Sequence, residues 1–212
     1  MDAKHVIQDF YEGRLAEFGP TARGMDWEGE QQLELRFRVM TGIFDANEGP
    51  ASLLDLGCAA RLLHDHLEAR GLLGRIDYTG IDISPAMIAA ASARKPEARF
   101  SARDVLAEPL AAESFDYVVA NGVLTVKEHV NRTEMWDFAK AFMATAFRSA
   151  RKGLAVNLMS AHVDWEKERL FHVPLDDAMA FFKAELSRHV LIRHDYGLWE
   201  YTAYVFREPN DQ

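Results

Sequence analysis

Three aspartates in the sequence lie in or directly after short apolar segments of the kind that forms buried strands. Asp55 stands in LLDLG, Asp82 ends YTGID, and Asp104 follows ARFSAR. A carboxylate in such a place can accept hydrogen bonds from a ribose, and Asp104 could accept from an adenine amino group. One aspartate would be weak evidence, because aspartate is also common in turns and helix caps. Three of them after successive segments predict a site for a nucleoside-containing ligand.

The segment LLDLGCAARLLHDHL runs from an apolar strand into a helix through the turn at residues 55–61. In doubly wound sheets this first turn is the commonest ligand contact, and it is usually rich in glycine. Here Gly57 is followed by Ala59 and Arg61 at the positions where two further glycines are expected. A positive φ at either position would be strained by these side chains. The turn is therefore predicted to be a ligand loop with an altered glycine pattern.

The elements that must position these residues alternate along the middle of the chain. Short apolar runs such as FDYVVANGV are separated by helical patterns, which predicts parallel strands joined by crossover helices. Ser84 and Pro85 supply a helix start, and Asn131 with Glu134 resembles a capping box. Gly153 is expected to end the long helix that follows. The pattern predicts an α/β protein with a doubly wound, mostly parallel sheet.

The last third of the chain has a different pattern. Asp176 is predicted to cap an aromatic-rich helix, and two strand-like runs follow it, HVLIRHDY and EYTAYVFRE. The connection at residues 197–199 is too short for a crossover helix, so these strands must pair as an antiparallel hairpin. Because an exposed edge strand could pair with a second copy, the protein is expected to be a monomer or a homodimer.

The first fifty residues contain no strand pattern, and their apolar residues repeat at helical spacing. This predicts an N-terminal helical cap over residues 1–48 and a main domain over residues 49–212, with the junction at the sequence EGP that begins at Glu48. The helical repeat consists of Leu33, Phe37, Met40 and Phe44.

The composition limits the classes of partner. The 24 basic and 33 acidic residues give a formal net charge of -9, which repels a nucleic-acid backbone. Cys58 is the single cysteine and cannot form an internal disulfide, and no apolar run is long enough to cross a bilayer. The first residues carry no apolar signal core. We therefore expect a cytoplasmic protein with no nucleic-acid or membrane partner.

Taken together, these motifs resemble the class I S-adenosylmethionine-dependent methyltransferases, over roughly residues 50–207. The resemblance rests on LLDLGCAAR, YTGIDISPAMI, ARDV, FDYVVANGVL and the final hairpin, and MSAHVDW and HDYGLWEYTAYVFR resemble small bacterial members. It implies a seven-stranded, Rossmann-like sheet whose last strand is antiparallel. It also implies S-adenosylmethionine as cofactor, S-adenosylhomocysteine as product, and methyl transfer to oxygen or nitrogen of a small-molecule acceptor.

The resemblance places the cofactor at the strand ends. Ala59 adds a methyl group where the family has glycine, and Arg61 could either pair with the methionine carboxylate or fill the pocket. Cofactor affinity is therefore expected to be weakened. Cys58 is expected to be a packing residue rather than a nucleophile. The predicted cofactor-binding residues are Asp55, Gly57, Cys58, Ala59, Asp82, Ile83, Asp104, Val105, Asn121 and Gly122.

Methyl transfer from a sulfonium needs in-line geometry, so proximity supplies most of the acceleration. A general base is needed only if the acceptor must lose a proton. His129 and His162 are the candidates, in the loops after the fourth and fifth strands, although loop histidines are more often solvated or cap a helix. The predicted acceptor-binding residues are Trp27, Gln31, Arg36 and Lys127. For Arg36, a surface salt bridge is the alternative to acceptor binding.

Two other classes of function stay open. A binding or regulatory protein could keep the fold without catalysis, with Arg61 in the cofactor site. A nicotinamide-dependent oxidoreductase would share the acid after the second strand, but GCAARL lacks the G-x-G-x-x-G spacing. No metal site is predicted, because His64 and His66 lie two apart on a helix, point to different faces and fit a solvated surface.

Overall fold

The computed structural model describes residues 2–44 and 49–210, and its centre is a β-sheet of eight strands. Glu48, in the predicted junction between cap and main domain, lies outside the described residues. The strands are β1 (Ala51–Leu56), β2 (Ile76–Asp82), β3 (Arg99–Ala102), β4 (Phe115–Ala120), β5 (Ala150–Ser160), β6 (His172–Val173), β7 (His189–Arg193) and β8 (Glu200–Phe206).

Seven of these strands form a continuous path in the order β3-β2-β1-β4-β5-β8-β7, and the short β6 pairs with the end of β5. Neighbours from β3 to β5 are parallel, whereas β8 is antiparallel to both β5 and β7. The predicted doubly wound sheet and the C-terminal hairpin are therefore confirmed. Because parallel strands share a direction, the carboxyl ends of β1 to β4 meet at one edge of the sheet.

The sheet is covered by helices on both faces, and its strands alternate between two cores. Leu54 and Val118 belong to the core shared with the long helix α5 (Arg132–Ser149), whereas Leu53 and Val119 belong to the core on the opposite face. This two-residue alternation is what a sheet buried on both sides requires. The helices are α1 (Ala3–Phe18), α2 (Glu30–Met40), α3 (Leu62–Ala69), α4 (Pro85–Arg94), α5 (Arg132–Ser149) and α6 (Leu175–Phe181).

Two of the predicted helix starts are present. The Ser84 hydroxyl accepts a hydrogen bond from the backbone N–H of Met87 at 3.1 Å, directly before α4. Asn131 Oδ1 accepts from the backbone N–H of Glu134 at 3.0 Å, directly before α5. These caps satisfy donors that would otherwise have no partner at the first turn.

Two predicted boundaries are wrong. Gly153 does not end α5, because the helix stops at Ser149 and the chain passes directly into β5, where Gly153 pairs with neighbouring strands. Asp176 is not the cap of α6, because Pro174 precedes the helix and Asp176 lies in its first turn. In both cases the residue type was compatible with a helix end, and the sheet register or a neighbouring proline decided otherwise.

Residues 2–44, which fall within the predicted cap, are largely helical, and the division into a cap and a main domain stays a prediction. The two helices of this segment, α1 and α2, lie over the edge of the sheet where β1 to β4 end, and α1 packs against both α4 and α5. In the part of the chain that the structure describes, no helix combines the length and the apolar character that a membrane crossing needs.

The prediction of a solvated surface for His64 and His66 is wrong, since they are only 4% and 6% exposed. His64 packs edge-on against Tyr78, and His66 packs against Phe37 of the cap. Both faces of α3 that carry a histidine are covered, one by the sheet and the other by α2.

Candidate functional site

A cavity lies between the cap and the carboxyl ends of β1 to β4. The space between its walls, counted out to the open mouth, is about 1080 Å³. The residues that the sequence assigned to a cofactor all line this cavity: Asp55, Gly57, Cys58, Ala59, Asp82, Ile83, Asp104, Val105, Asn121 and Gly122.

Asp82 holds the loop between β1 and α3 in place. Its Oδ2 accepts a hydrogen bond from the backbone N–H of Ala59 at 2.9 Å, and its Oδ1 accepts from that of Ser84 at 2.9 Å. Burial raises the pKa of Asp82, and these backbone donors partly offset the increase. The side chain therefore fixes the loop while it faces the cavity.

Asp55 lies deeper in the wall of the cavity and is 2% exposed. Its Oδ2 accepts a hydrogen bond from the Tyr78 hydroxyl at 2.7 Å. Burial raises the pKa of Asp55 to about 7, although the Tyr78 hydrogen bond acts in the opposite direction. A carboxyl group with this pKa ionises readily when a cationic ligand group approaches, so Asp55 is suited to an ammonium.

The turn after β1 adopts a left-handed backbone at all three positions of the glycine pattern. The φ angles are +76° at Gly57, +47° at Ala59 and +72° at Arg61. Only glycine takes this conformation without strain, and a side chain there costs about 1 kcal/mol or more. Ala59 and Arg61 therefore adopt the left-handed turn geometry that glycine would adopt, and their side chains strain the backbone there.

The Arg61 side chain does not occupy either of the places that the sequence suggested. It is 6% exposed and pairs with Asp65 and with Glu68 Oε2, the latter at 3.5 Å. It is not among the described residues that line the cavity. α3 begins at the next residue, and the guanidinium extends along that helix toward Asp65 and Glu68, away from the cavity.

Among residues 2–44 and 49–210, one group of possible metal ligands was found, on the same helix: His64, Asp65 and Glu68 have ligand atoms within 4.8 Å of one another. The group already contains cations. Arg61 pairs with both acids, and Lys95 Nζ lies 2.6 Å from Glu68 Oε1. These positive charges take the place that a metal ion would need, so the arrangement fits an ion-pair network.

Asp104 is held by three donors at the far end of the cavity. Its Oδ1 accepts from the backbone N–H groups of Leu106 and Ala107 at 3.0 and 3.3 Å, and its Oδ2 accepts from Lys4 Nζ at 2.6 Å. Burial opposes ionisation of Asp104, but the bonds from Lys4 and the backbone outweigh it and lower the pKa. The carboxylate is thus charged and in contact with the cap.

Sequence reasoning missed the contribution of α1 to this site. The side chains of Lys4, Ile7, Gln8 and Tyr11 line the cavity, and the Tyr11 hydroxyl donates to the carbonyl oxygen of Gly122 at 3.1 Å. The apolar and aromatic spacing of VIQDFY could have identified the helix, and Asp2 directly before its first turn could have marked its start. Nothing in that spacing could have identified the face that meets the cavity.

The predicted acceptor-binding and catalytic residues do not all lie at the cavity. Trp27 lines the cavity, and Arg36 forms a salt bridge, though a buried one, with Glu200 at 2.7 Å. Lys127 Nζ donates to backbone carbonyls of its own loop. The other three, Gln31, His129 and His162, have exposed side chains. Five of the six predicted residues are absent from the described lining of the cavity: Gln31, Arg36, Lys127, His129 and His162.

Comparison with known proteins agrees with this geometry. Residues 54–153 match a family described as a methyltransferase domain. Rv1506c of Mycobacterium tuberculosis, a candidate methyltransferase, is 37% identical over 161 residues, which cover 74% of this chain and 93% of that protein.

The crystal structures that share the fold include two methyltransferases. One is magnesium protoporphyrin IX methyltransferase (ChlM) from Synechocystis PCC 6803 with bound S-adenosylmethionine, with a TM-score of 0.64, 16% identity and 98% of each chain covered. The other is the N-methyltransferase NodS from Bradyrhizobium japonicum WM9 with S-adenosylhomocysteine, with a TM-score of 0.63, 18% identity, and 96% of this chain and 99% of NodS covered. With its strand order, its strand-end carboxylates and its sequence relatives, the chain belongs to the class I S-adenosylmethionine-dependent methyltransferases.

Proposed function

We propose that this protein transfers a methyl group from S-adenosylmethionine to an oxygen or nitrogen of a small-molecule acceptor held beneath the cap. The observation that carries the proposal is the cavity itself. It joins the carboxylates of Asp55, Asp82 and Asp104 to apolar and aromatic side chains of the cap, such as Met25 and Trp27. One part of the cavity is polar enough for a nucleoside with an amino-acid group, and another is suited to an apolar acceptor.

The residues present fit the cofactor. Asn121 Oδ1 is buried without a hydrogen-bond partner, and Asn121 lines the cavity, so an N–H group of a ligand would satisfy it. Asp104 would accept from the adenine amino group, Asp82 from the ribose, and Asp55 with Asn121 from the methionine ammonium. When bound, S-adenosylmethionine supplies an electrophilic methyl group on a sulfonium.

The acceptor would be bound by the cap. Met25, Trp27, Leu33 and Phe37 come from the cap and line the cavity, so the acceptor is expected to present an apolar or aromatic surface. We expect a small molecule, because the acceptor must share the cavity with the cofactor.

We infer that the chain accelerates the reaction mainly by holding cofactor and acceptor in contact. His129 and His162, the predicted bases, have exposed side chains and are not among the described residues of the cavity lining. An acceptor with a free lone pair, or one that ionises by itself in solution, needs no such base.

Titration calorimetry with S-adenosylmethionine and S-adenosylhomocysteine tests the cofactor half of this proposal. We expect saturable binding of both ligands with a Kd in the micromolar range, which is typical of enzymes acting at cellular concentrations. If neither ligand releases heat or raises the Tm, the proposal is wrong, and a binding or regulatory role for the fold replaces it.

The acceptor half is tested by incubating the enzyme and cofactor with a panel of phenols and amines and searching for a mass increase of one methylene group. We expect apolar aromatic members to be methylated. In the same assay, His129→Gln and His162→Gln variants should keep the wild-type kcat/KM. A loss of more than about tenfold in either variant would assign that histidine to the reaction.

A further inference from the structure

A buried hydrogen-bond network connects the C-terminal hairpin with the turn that follows β4. Glu200 Oε2 accepts from Arg36 Nη2 at 2.7 Å and from Arg36 Nε at 2.9 Å, and Glu200 Oε1 accepts from Asn157 Nδ2 at 2.9 Å. Asn157 Oδ1 in turn accepts from the backbone N–H of Gly122 at 2.7 Å. Arg36, Asn157 and Glu200 are 6%, 1% and 1% exposed. The network therefore runs from the cap through β8 and β5 to a residue that lines the cavity.

The same arginine also acts on the other side of this turn. Its guanidinium carbon lies 3.8 Å from the centre of the Trp27 ring. The edge of that ring faces Gly122, because a Cβ on Gly122 would lie 2.8 Å from Trp27 Cζ2. The Gly122 backbone is thus bounded by Trp27 on one side and by Asn157 on the other, and Arg36 contacts Trp27 directly and reaches Asn157 through Glu200.

Stability alone is a weak explanation for this arrangement. A buried ion pair rarely stabilises a fold more than apolar residues of the same size, because both charges lose their hydration. The positions of the polar atoms are better explained by the turn they hold. The network reaches Gly122 through Asn157 and Trp27 through Arg36, and both Gly122 and Trp27 line the cavity.

The position of Gly122 relative to the other strand ends indicates which part of the cofactor it meets. In the sheet order, Asp104 follows β3, Asp82 follows β2, the loop at Gly57 follows β1, and Gly122 follows β4. If the adenine lies at Asp104 and the ribose at Asp82, the methionine part must extend toward β1 and β4. Adjacent strands are about 4.8 Å apart, so the turn at Gly122 lies well beyond the nucleoside.

We propose that Arg36, Asn157 and Glu200 are positioning residues that fix Gly122, with Trp27 packed against it, where the methionine part of the cofactor is bound. This inference rests on the proposed function. It assigns to Arg36 an indirect role through Trp27 and Glu200, in place of a direct contact with the acceptor.

The test compares two ligands that differ in the methionine part. S-adenosylhomocysteine carries the amino-acid group, and methylthioadenosine lacks it. In titration calorimetry, Asn157→Leu and Glu200→Gln should each weaken S-adenosylhomocysteine binding about tenfold, the effect of one lost buried hydrogen bond. Methylthioadenosine binding should change less than about twofold, because the nucleoside contacts at Asp82 and Asp104 are untouched.

Asp116→Asn is the matched control. Asp116 also pairs with an arginine, Arg151, at 3.0 Å, and accepts from Ser52, but it lies near the amino end of β4 and away from the cavity. This variant should lower the Tm and leave the affinity for both ligands unchanged.

Equal losses for the two ligands, or an unchanged S-adenosylhomocysteine affinity in folded network variants, would overturn the inference. Glu200→Gln preserves the side-chain size and carries the test if Asn157→Leu does not fold. A wild-type protein that binds neither ligand would overturn the proposed function, and this inference with it. Wild-type binding together with unaffected variants would overturn this inference alone.

Discussion

Lys4 Nζ lies 2.6 Å from Asp104 Oδ2, so the first turn of the N-terminal helix is bound to the carboxylate at the far end of the cavity. The contact joins residues exactly one hundred positions apart in sequence. It makes α1 part of the cavity wall, and it occupies one of the two oxygens through which Asp104 is proposed to accept from the adenine amino group.

Replacing Lys4 with methionine should therefore strengthen cofactor binding, while it removes one contact that holds α1 on the sheet edge. We expect S-adenosylmethionine to bind about threefold more tightly, because Asp104 Oδ2 becomes available to the ligand. The free energy of unfolding should fall by less than about 1 kcal/mol, since the ion pair is partly exposed. Calorimetry and urea denaturation measure the two effects, with Lys4→Arg as the control that keeps the charge. Weaker cofactor binding in Lys4→Met would contradict this prediction, and it would show that the contact between α1 and Asp104 contributes more to binding than a free Asp104 oxygen does.

Asp55 should make the stability of the protein dependent on pH. Its pKa is raised from 3.8 to about 7, mainly by burial, so the folded protein keeps a proton that the unfolded chain loses at lower pH. The stabilisation is thus present below pH 3.8 and is lost as the pH rises toward 7, by up to about 4 kcal/mol. The difference in free energy of unfolding between wild type and Asp55→Asn should follow this curve in urea titrations. A difference that is constant with pH would contradict the assignment.

Ligand binding should show the opposite pH dependence at the same residue. An ammonium group beside Asp55 favours the ionised carboxylate, so S-adenosylmethionine affinity should increase with pH up to about 7 and then level off. Below that pH, binding should release a proton, which calorimetry detects as a dependence of the heat on the buffer. Asp55→Asn should bind more weakly and with no such dependence.

Ala59 and Arg61 should differ in their effect on cofactor affinity. Ala59 lines the cavity with a φ of +47°, so Ala59→Gly removes a methyl group from the site and relieves backbone strain. We expect a several-fold gain in affinity. Arg61→Gly should leave the affinity unchanged, because its side chain lies on Asp65 and Glu68. A gain from Arg61→Gly alone would mean that the arginine obstructs the ligand in solution. Calorimetry on the two single variants decides this.

Gly122→Ala should weaken cofactor binding more than tenfold. Its φ is +84°, and the added methyl group would lie 2.8 Å from Trp27. Gly197 offers a matched control, because its φ is +74° and a Cβ there would meet open space. Gly197→Ala should therefore show the strain cost alone, about 1 kcal/mol in the free energy of unfolding, with unchanged affinity. Replacing Trp27 with phenylalanine in the Gly122→Ala background should restore part of the binding if the steric contact is the cause.

The sequence by itself determined the elements that depend on near neighbours. Short apolar runs separated by helical patterns predicted parallel strands joined by crossover helices, and the short link between β7 and β8 required a hairpin. The caps at Ser84 and Asn131 are contacts over three residues. The predicted cofactor-binding residues line one cavity for a related reason: the parallel sheet brings the ends of its strands together at one edge, whatever the details of the helices.

Only the tertiary structure decided which way the side chains outside the strands point. Arg61 turns along α3 because Asp65 and Glu68 lie one and two helical turns away, whereas the turn geometry alone allowed it to enter the cavity. Arg36 meets Glu200 across 164 residues. Such contacts depend on how α1 and α2 pack over the sheet edge, which local spacing does not specify. Local patterns fix hydrogen bonds within an element, and the packing of distant elements fixes the partners of buried charges.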